Sequence, residues 1–238
     1  LGGGDLNALF GIAGFAGGIG FGTIFLKRGY SLQRTYALSK LESAMMPAIQ
    51  VGLLVLVVTA PAFIFFSQKG PGAMHAPWLI SLAAGLVVGG LSQFSRLCTV
   101  GGFRDLFLFK KSILIFGYLA VLIGVFVVNI SFGNFHLGFE NQPIAHTDGL
   151  WNFLGMALAG FCSVLLGGCP LRQLIMTGEG NSDSAVTVLG LAAGAAFAHN
   201  FGLAATGAGP TLNGEIAVGV GFVVALIIAI LNTKRVNA

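Results

Sequence analysis

Seven apolar stretches of roughly twenty residues recur along the chain, near 6–26, 46–66, 77–95, 112–131, 150–168, 184–203 and 214–232. At about 1.5 Å per helical residue, each is long enough to cross the roughly 30 Å of hydrocarbon in a bilayer. Lipid offers no hydrogen-bond partner, so helix is the form in which such a stretch satisfies its own backbone. Composition excludes the soluble alternative. Charged residues make up 8% of the 238, against about 25% in ordinary globular chains, too few to build a solvated surface. Disorder and nucleic-acid binding fall away on the same grounds, and the 3 cysteines are too few for a secreted disulfide framework. The expected fold is an all-α integral membrane protein with about seven transmembrane helices, forming a single transmembrane domain over residues 1–238.

The basic residues sort by loop. Lys27, Arg28, Arg34 and Lys40 follow the first stretch, and Arg96, Arg104, Lys110 and Lys111 follow the third. Arg172 follows the fifth, and Lys234 and Arg235 lie in the tail, whereas the alternate loops hold Lys69 alone. By the positive-inside rule the rich side is cytoplasmic. The chain is then a multi-pass protein of the inner (cytoplasmic) membrane, with residue 1 outside and residue 238 inside.

Glycine supplies a second pattern. Gly14, Gly18 and Gly22 recur every four residues, as do Gly190 and Gly194, a spacing that lets transmembrane backbones approach closely. A shift of 176 lays residues 2–7 (GGGDLN) on 178–183 (GEGNSD), and Gly14 and Gly18 on Gly190 and Gly194. A weaker shift of 68 lays Gly22, Arg28 and Tyr30 on Gly90, Arg96 and Cys98. Internal pseudo-repeats of this kind are common in transporters, with substrate held where the repeats meet. The second copy is preceded by Gly168-Cys169-Pro170-Leu171-Arg172, while the first begins at Leu1 with neither an initiator methionine nor a signal peptide. We therefore expect the C-terminal part of a longer carrier, whose missing segment holds another cysteine motif.

Two segments break the apolar pattern at membrane depth: residues 93–105 (QFSRLCTVGGFRD) and 167–173 (GGCPLRQ). Each joins a cysteine to glycine and arginine. Pro170 disfavours helix in the residue before it, so the chain should unwind at Cys169 and start a short helix after it. Cys169 then precedes a helix N-terminus, where positive partial charge and Arg172 favour an anion. Irregular backbone at this depth is tolerated inside protein or beside a wet cavity, and we read both segments as re-entrant turns facing a central path. Cys98, Cys169, Arg96, Arg104 and Arg172 are the candidate substrate-binding residues; Cys162, Gln173, Glu179, Asn181 and His199 are candidates for the path. Cys162 lies seven residues before Cys169, so an unbroken helix would stack the two; the bland reading is a small apolar residue. Lys27, Lys110 and Lys111 read as orienting residues that snorkel. Arg104 would pair with an acidic residue, though not readily with its neighbour Asp105 if both are helical. His136 and His146 lack further ligands at zinc spacing, so neither a metal nor a cofactor is expected, and there is no P-loop or serine-nucleophile motif.

Thiols are soft ligands and nucleophiles, suited to sulfur and selenium species rather than hard ions. Arginine and helix termini attract anions. Together they suggest a small soft anion such as selenide, a persulfide-like species or thiosulfate.

At these residues a family resemblance emerges. The stretches 95–105 (SRLCTVGGFRD), 167–175 (GGCPLRQLI), 69–77 (KGPGAMHAP) and 142–151 (QPIAHTDGLW) resemble the YeeE/YedE membrane proteins, most of all the YedE-type selenium transporters. The resemblance implies a multi-pass inner-membrane carrier, related to thiosulfate importers that pass substrate along a central line of cysteines. Cys98 and Cys169 match the central cysteines, Cys162 matches no motif position, and Tyr30 stands where the weaker repeat would place a cysteine. Expected partners are a small selenium or sulfur anion, the lipid bilayer and a cytoplasmic thiol or selenium/sulfur carrier protein; no nucleic acid is expected. The rival readings are a membrane-bound sulfur or selenium transfer enzyme or redox partner, a structural subunit of a membrane complex and, less favoured, a metal exporter.

Overall fold

A computed structural model describes residues 1–32, 39–61, 76–142 and 146–233, with side chains left out at 40–43. Arg34, Lys69, Lys234 and Arg235 of the orientation argument lie outside the described residues, as does most of the 69–77 stretch. Among the described residues the helices are α1 (Asn7–Lys27), α2 (Lys40–Thr59), α3 (Trp78–Ser95), α4 (Thr99–Phe109), α5 (Ile113–Ser131), α6 (Gly149–Leu165), α7 (Pro170–Gly178), α8 (Ser182–Asn200) and α9 (Leu212–Leu231). The protein is an all-α membrane protein. Five stretches are long and apolar enough to span: Asn7–Lys27, Trp78–Phe109, Ile113–Ser131, Gly149–Gly178 and Leu212–Leu231. The apolar part of α2, Ala44–Thr59, is shorter. α8, with a polar first turn and a His199-Asn200 end, is not among the five.

The chain forms two compact units. The first holds α1, α4, α5, α6, the start of α7, the part of α8 from Leu189 onward, and α9; the second holds α2, α3, α7 from Arg172, and α8 to Val188. Within the first unit, α1 lies along α6 with backbone against backbone. A Cβ on Gly14 would strike the Phe153 carbonyl, one on Gly18 the Ala157 carbonyl, and one on Gly22 the Val164 side chain at 2.9 Å. Gly160 reciprocates from α6 against the Phe15 carbonyl. These four positions need glycine for space alone, which is how small residues hold transmembrane helices together.

The order of these contacts, 14 with 153 and 22 with 164, makes α1 and α6 parallel. α9 joins them in the same sense: Ser31 N–H donates to Asn232 O at 3.2 Å, and Tyr30 bridges Thr233, placing the C-terminal ends together. Spans one, five and seven must be parallel if successive loops alternate sides. At the other end, the loop after α5 pairs with the N-terminal segment through His136 N–H to Gly3 O (2.9 Å) and Leu6 N–H to Gly138 O (3.0 Å). Buried Asn7 adds a side-chain bond to Phe139 O at 2.7 Å.

Both repeat shifts have backbone counterparts. Gly4 and Gly180 are both left-handed, φ +95° and +87°, and each precedes a helix. α1 and α3 end 68 residues apart, at Lys27 and Ser95. The glycine seam is not repeated, however. Gly190 and Gly194 have nothing within 4 Å of a built Cβ, so the expectation that they pack as Gly14 and Gly18 do is corrected. A shared spacing sets which face is small, but a partner backbone must still arrive there. Of the second apolar stretch, expected at 46–66, the described helix is Lys40–Thr59, and residues 62–66 lie outside the described residues. Pro61 disfavours helix at Ala60, which takes φ +40°.

Candidate functional site

The two cysteine segments break where the sequence predicted. α3 ends at Ser95, Arg96 turns left-handed at φ 51°, and α4 begins after Cys98. α6 ends at Leu165, Gly167 takes φ +83°, and α7 starts at Pro170. Proline suits a first helical position, where its missing N–H has no intrahelical partner to lose. The irregular part of the first segment is shorter than expected. Residues 99–105 are helical despite Gly101-Gly102, because these glycines face α5: a Cβ on Gly101 would meet Leu114 at 3.0 Å, and one on Gly102 would meet Ile115 N at 3.3 Å. They serve close packing here, rather than breaking the helix.

Cys98 caps α4. Its extended backbone (φ −150°) lets Sγ accept the Gly101 N–H at 3.3 Å, the role a serine or aspartate oxygen plays at other helix starts. Its side chain also packs against that of Cys169. Both cysteines are buried, at 8% and 3% exposure, in one apolar cluster with Ile19, Val100 and Val164. Two thiols 71 residues apart are thus brought into direct contact by two helix breaks against the α1–α6 seam. Phe15 and Phe103 pack on the same cluster, edge to face with centroids 6.2 Å apart.

Arg104 sits on α4 with its guanidinium on Asp105: Nε donates to Oδ1 at 3.0 Å, and Nη2 lies 2.9 Å from the same oxygen. The expectation that adjacent helical residues would not pair is corrected. The long arginine side chain folds back over its short neighbour, and Arg104 presents a partly neutralised charge.

In the second unit, Arg172 donates to Gln93 Oε1 at 3.1 Å and lies 3.8 Å from Glu179 Oε1. An ion pair this long and partly exposed contributes little. Glu179→Gln is expected to change stability by less than about 1 kcal/mol, as checked by thermal melting in detergent. Gln173 is buried beside Thr177, whose hydroxyl donates to the Gln173 carbonyl at 2.8 Å. Asn181 caps α8 by accepting Ser184 N–H at 2.9 Å. Arg96 is exposed, as is His199 in the last turn of α8.

Cys162 is not stacked with Cys169, since α6 ends between them. It packs on a separate cluster with Phe25, Tyr30, Phe161 and Ala225. Tyr30, where the weak repeat would put a cysteine, donates its hydroxyl to Leu165 O at 3.3 Å. Burial, and secondly the nearby Cys162 thiol, hold its phenol above the usual range, so it remains a donor. Sequence reasoning missed Gly101 as the donor to Cys98; the three-residue spacing from an N-cap was the available signal.

No curated protein and no solved structure matches the chain. The family described as Sulphur transport matches residues 94–234, a stretch that contains the Cys98–Cys169 contact. The chain belongs to this YeeE/YedE sulphur transport family, whose members move sulphur compounds across membranes.

Proposed function

We propose that the protein carries a small selenium- or sulfur-containing anion inward across the inner membrane, with Cys169 and Cys98 as successive contact points. The observation that carries this reading is the pair of buried thiols packed in one cluster at two broken helices within the family-matched region. A soft anion exchanges an S–H···S contact with one thiol for the same contact with the other, and the apolar surround keeps water from competing. Arg96, Arg104 and Arg172 supply positive field near the two breaks. The pairing of Arg104 with Asp105 favours release, because conduction needs exit as well as binding. A cytoplasmic thiol or selenium/sulfur carrier protein would receive the cargo, and Gln173, Glu179, Asn181 and His199 remain candidates for the path.

The test is uptake into liposomes by purified protein, with labelled selenide, selenite and thiosulfate offered separately. One soft anion should enter, and Cys98→Ser and Cys169→Ser should each reduce its initial rate by at least about tenfold, equivalent to about 1.4 kcal/mol. Wild-type rates in both variants would end the thiol reading. Absence of uptake by folded protein, accompanied by persulfide on Cys169, would favour a transfer enzyme instead.

A further inference from the structure

A cleft of about 470 Å³ opens between the C-terminal halves of α6 and α9 and the turn after α1, wholly within the first unit. Its size lies inside the range of about 300–1,000 Å³ typical of small-molecule sites. Tyr30, Cys162, Leu165, Leu166, Val224 and Ile228 are among its lining residues. The Tyr30 hydroxyl is already committed to the Leu165 carbonyl. An occupant therefore meets hydrocarbon and one thiol. Such a lining cannot hold an anion or a sugar, since a polar group buried there would lack hydrogen-bond partners. It suits a hydrocarbon chain.

Position supplies the rest of the occupant. α1, α6 and α9 all end beside the cleft, and exposed Lys27 and Arg28 close α1 three and two residues before Tyr30. A ligand with its chain in the cleft would have its head where these two cations lie, and anionic headgroups are attracted to basic residues at the membrane surface. The geometry points to a binding site for one acyl chain of an anionic membrane phospholipid. Cys162 is a wall residue of this site, in a cluster separate from that of Cys98 and Cys169.

Cys162 also provides the readout. The full chain, stripped of lipid in detergent, is treated with N-ethylmaleimide, and modification of Cys162 is followed by peptide mass spectrometry. Dioleoylphosphatidylglycerol should slow that modification by about tenfold, as about nine-tenths occupancy requires, and dioleoylphosphatidylcholine should slow it much less. Native mass spectrometry should find one phosphatidylglycerol retained per wild-type chain and none in Val224→Trp, where the indole fills the cleft mouth. Monodispersity and melting of that variant establish that it is folded. Three results would each overturn the site: a Cys162 rate indifferent to lipid, equal protection by both phospholipids, or phosphatidylglycerol retained by folded Val224→Trp. None of these readouts depends on transport.

Discussion

Alanine at position 18 is expected to cripple assembly of the protein, and leucine to abolish it. The first added carbon would fall on the Ala157 carbonyl, with its carbon at 2.7 Å and Phe161 N at 2.9 Å. All of these are backbone atoms of α6, so no side chain can rotate away to make room. Relief requires α1 and α6 to move apart, which also opens the contacts at Gly14, Gly22 and Gly160. The loss should exceed the roughly 1–3 kcal/mol of ordinary overpacking. Yield of monodisperse protein and thermal melting in detergent are the measurements, and Gly190→Leu is the comparison. Gly190 belongs to the same four-residue glycine spacing but has open space around it, so its leucine variant should behave as wild type. A Gly18→Ala protein with unchanged melting would show the seam to be wrongly drawn.

Mild oxidation should close a Cys98–Cys169 disulfide and stop transport. The thiols are neighbours in one buried cluster, so a short approach reaches bonding distance. With diamide as oxidant, each thiol gives up a proton and an electron, the sulfurs join, and diamide is reduced to the hydrazine. Peptide mapping should find residues 98 and 169 linked, with Cys162 still free because it sits in another cluster. Uptake should fall to background and return with dithiothreitol. Cys162→Ser should respond like wild type. A disulfide that instead joins Cys162 to Cys169 would refute the arrangement, as would unlinked Cys98 and Cys169 that both alkylate readily after oxidant.

Much of this was legible in the sequence. Each of the seven apolar stretches contains a helix among the described residues, because a long apolar run leaves the backbone few alternatives in lipid, and the break at Cys169 follows from Pro170. The contact between Cys98 and Cys169 was not legible: each lies in a recognisable local motif, but their meeting depends on how α4 and α6 pack on α1. Gly101-Gly102 misled for a related reason, since glycine that breaks a helix and glycine that admits a neighbour look alike until the neighbour is known. The same ambiguity separates Gly18 from Gly194. Arg104 could be assigned a charge from sequence, but whether Asp105 would neutralise it depended on a side-chain fold-back.

The seam between α1 and α6 also limits which parts of the protein can move. Where carbonyls lie against the space of a missing Cβ, the gap cannot breathe by rotamer changes, and neither water nor cargo can slip between the helices. The pair behaves as a stator. Ile19 and Val164, buried beside the cysteines, belong to it, so in the proposed relay one side of the thiol contact would stay still. Motion that passed an anion from one sulfur to the other would then fall to the short irregular stretches before Cys98 and Cys169, each only a few residues long and hinged by a left-handed residue.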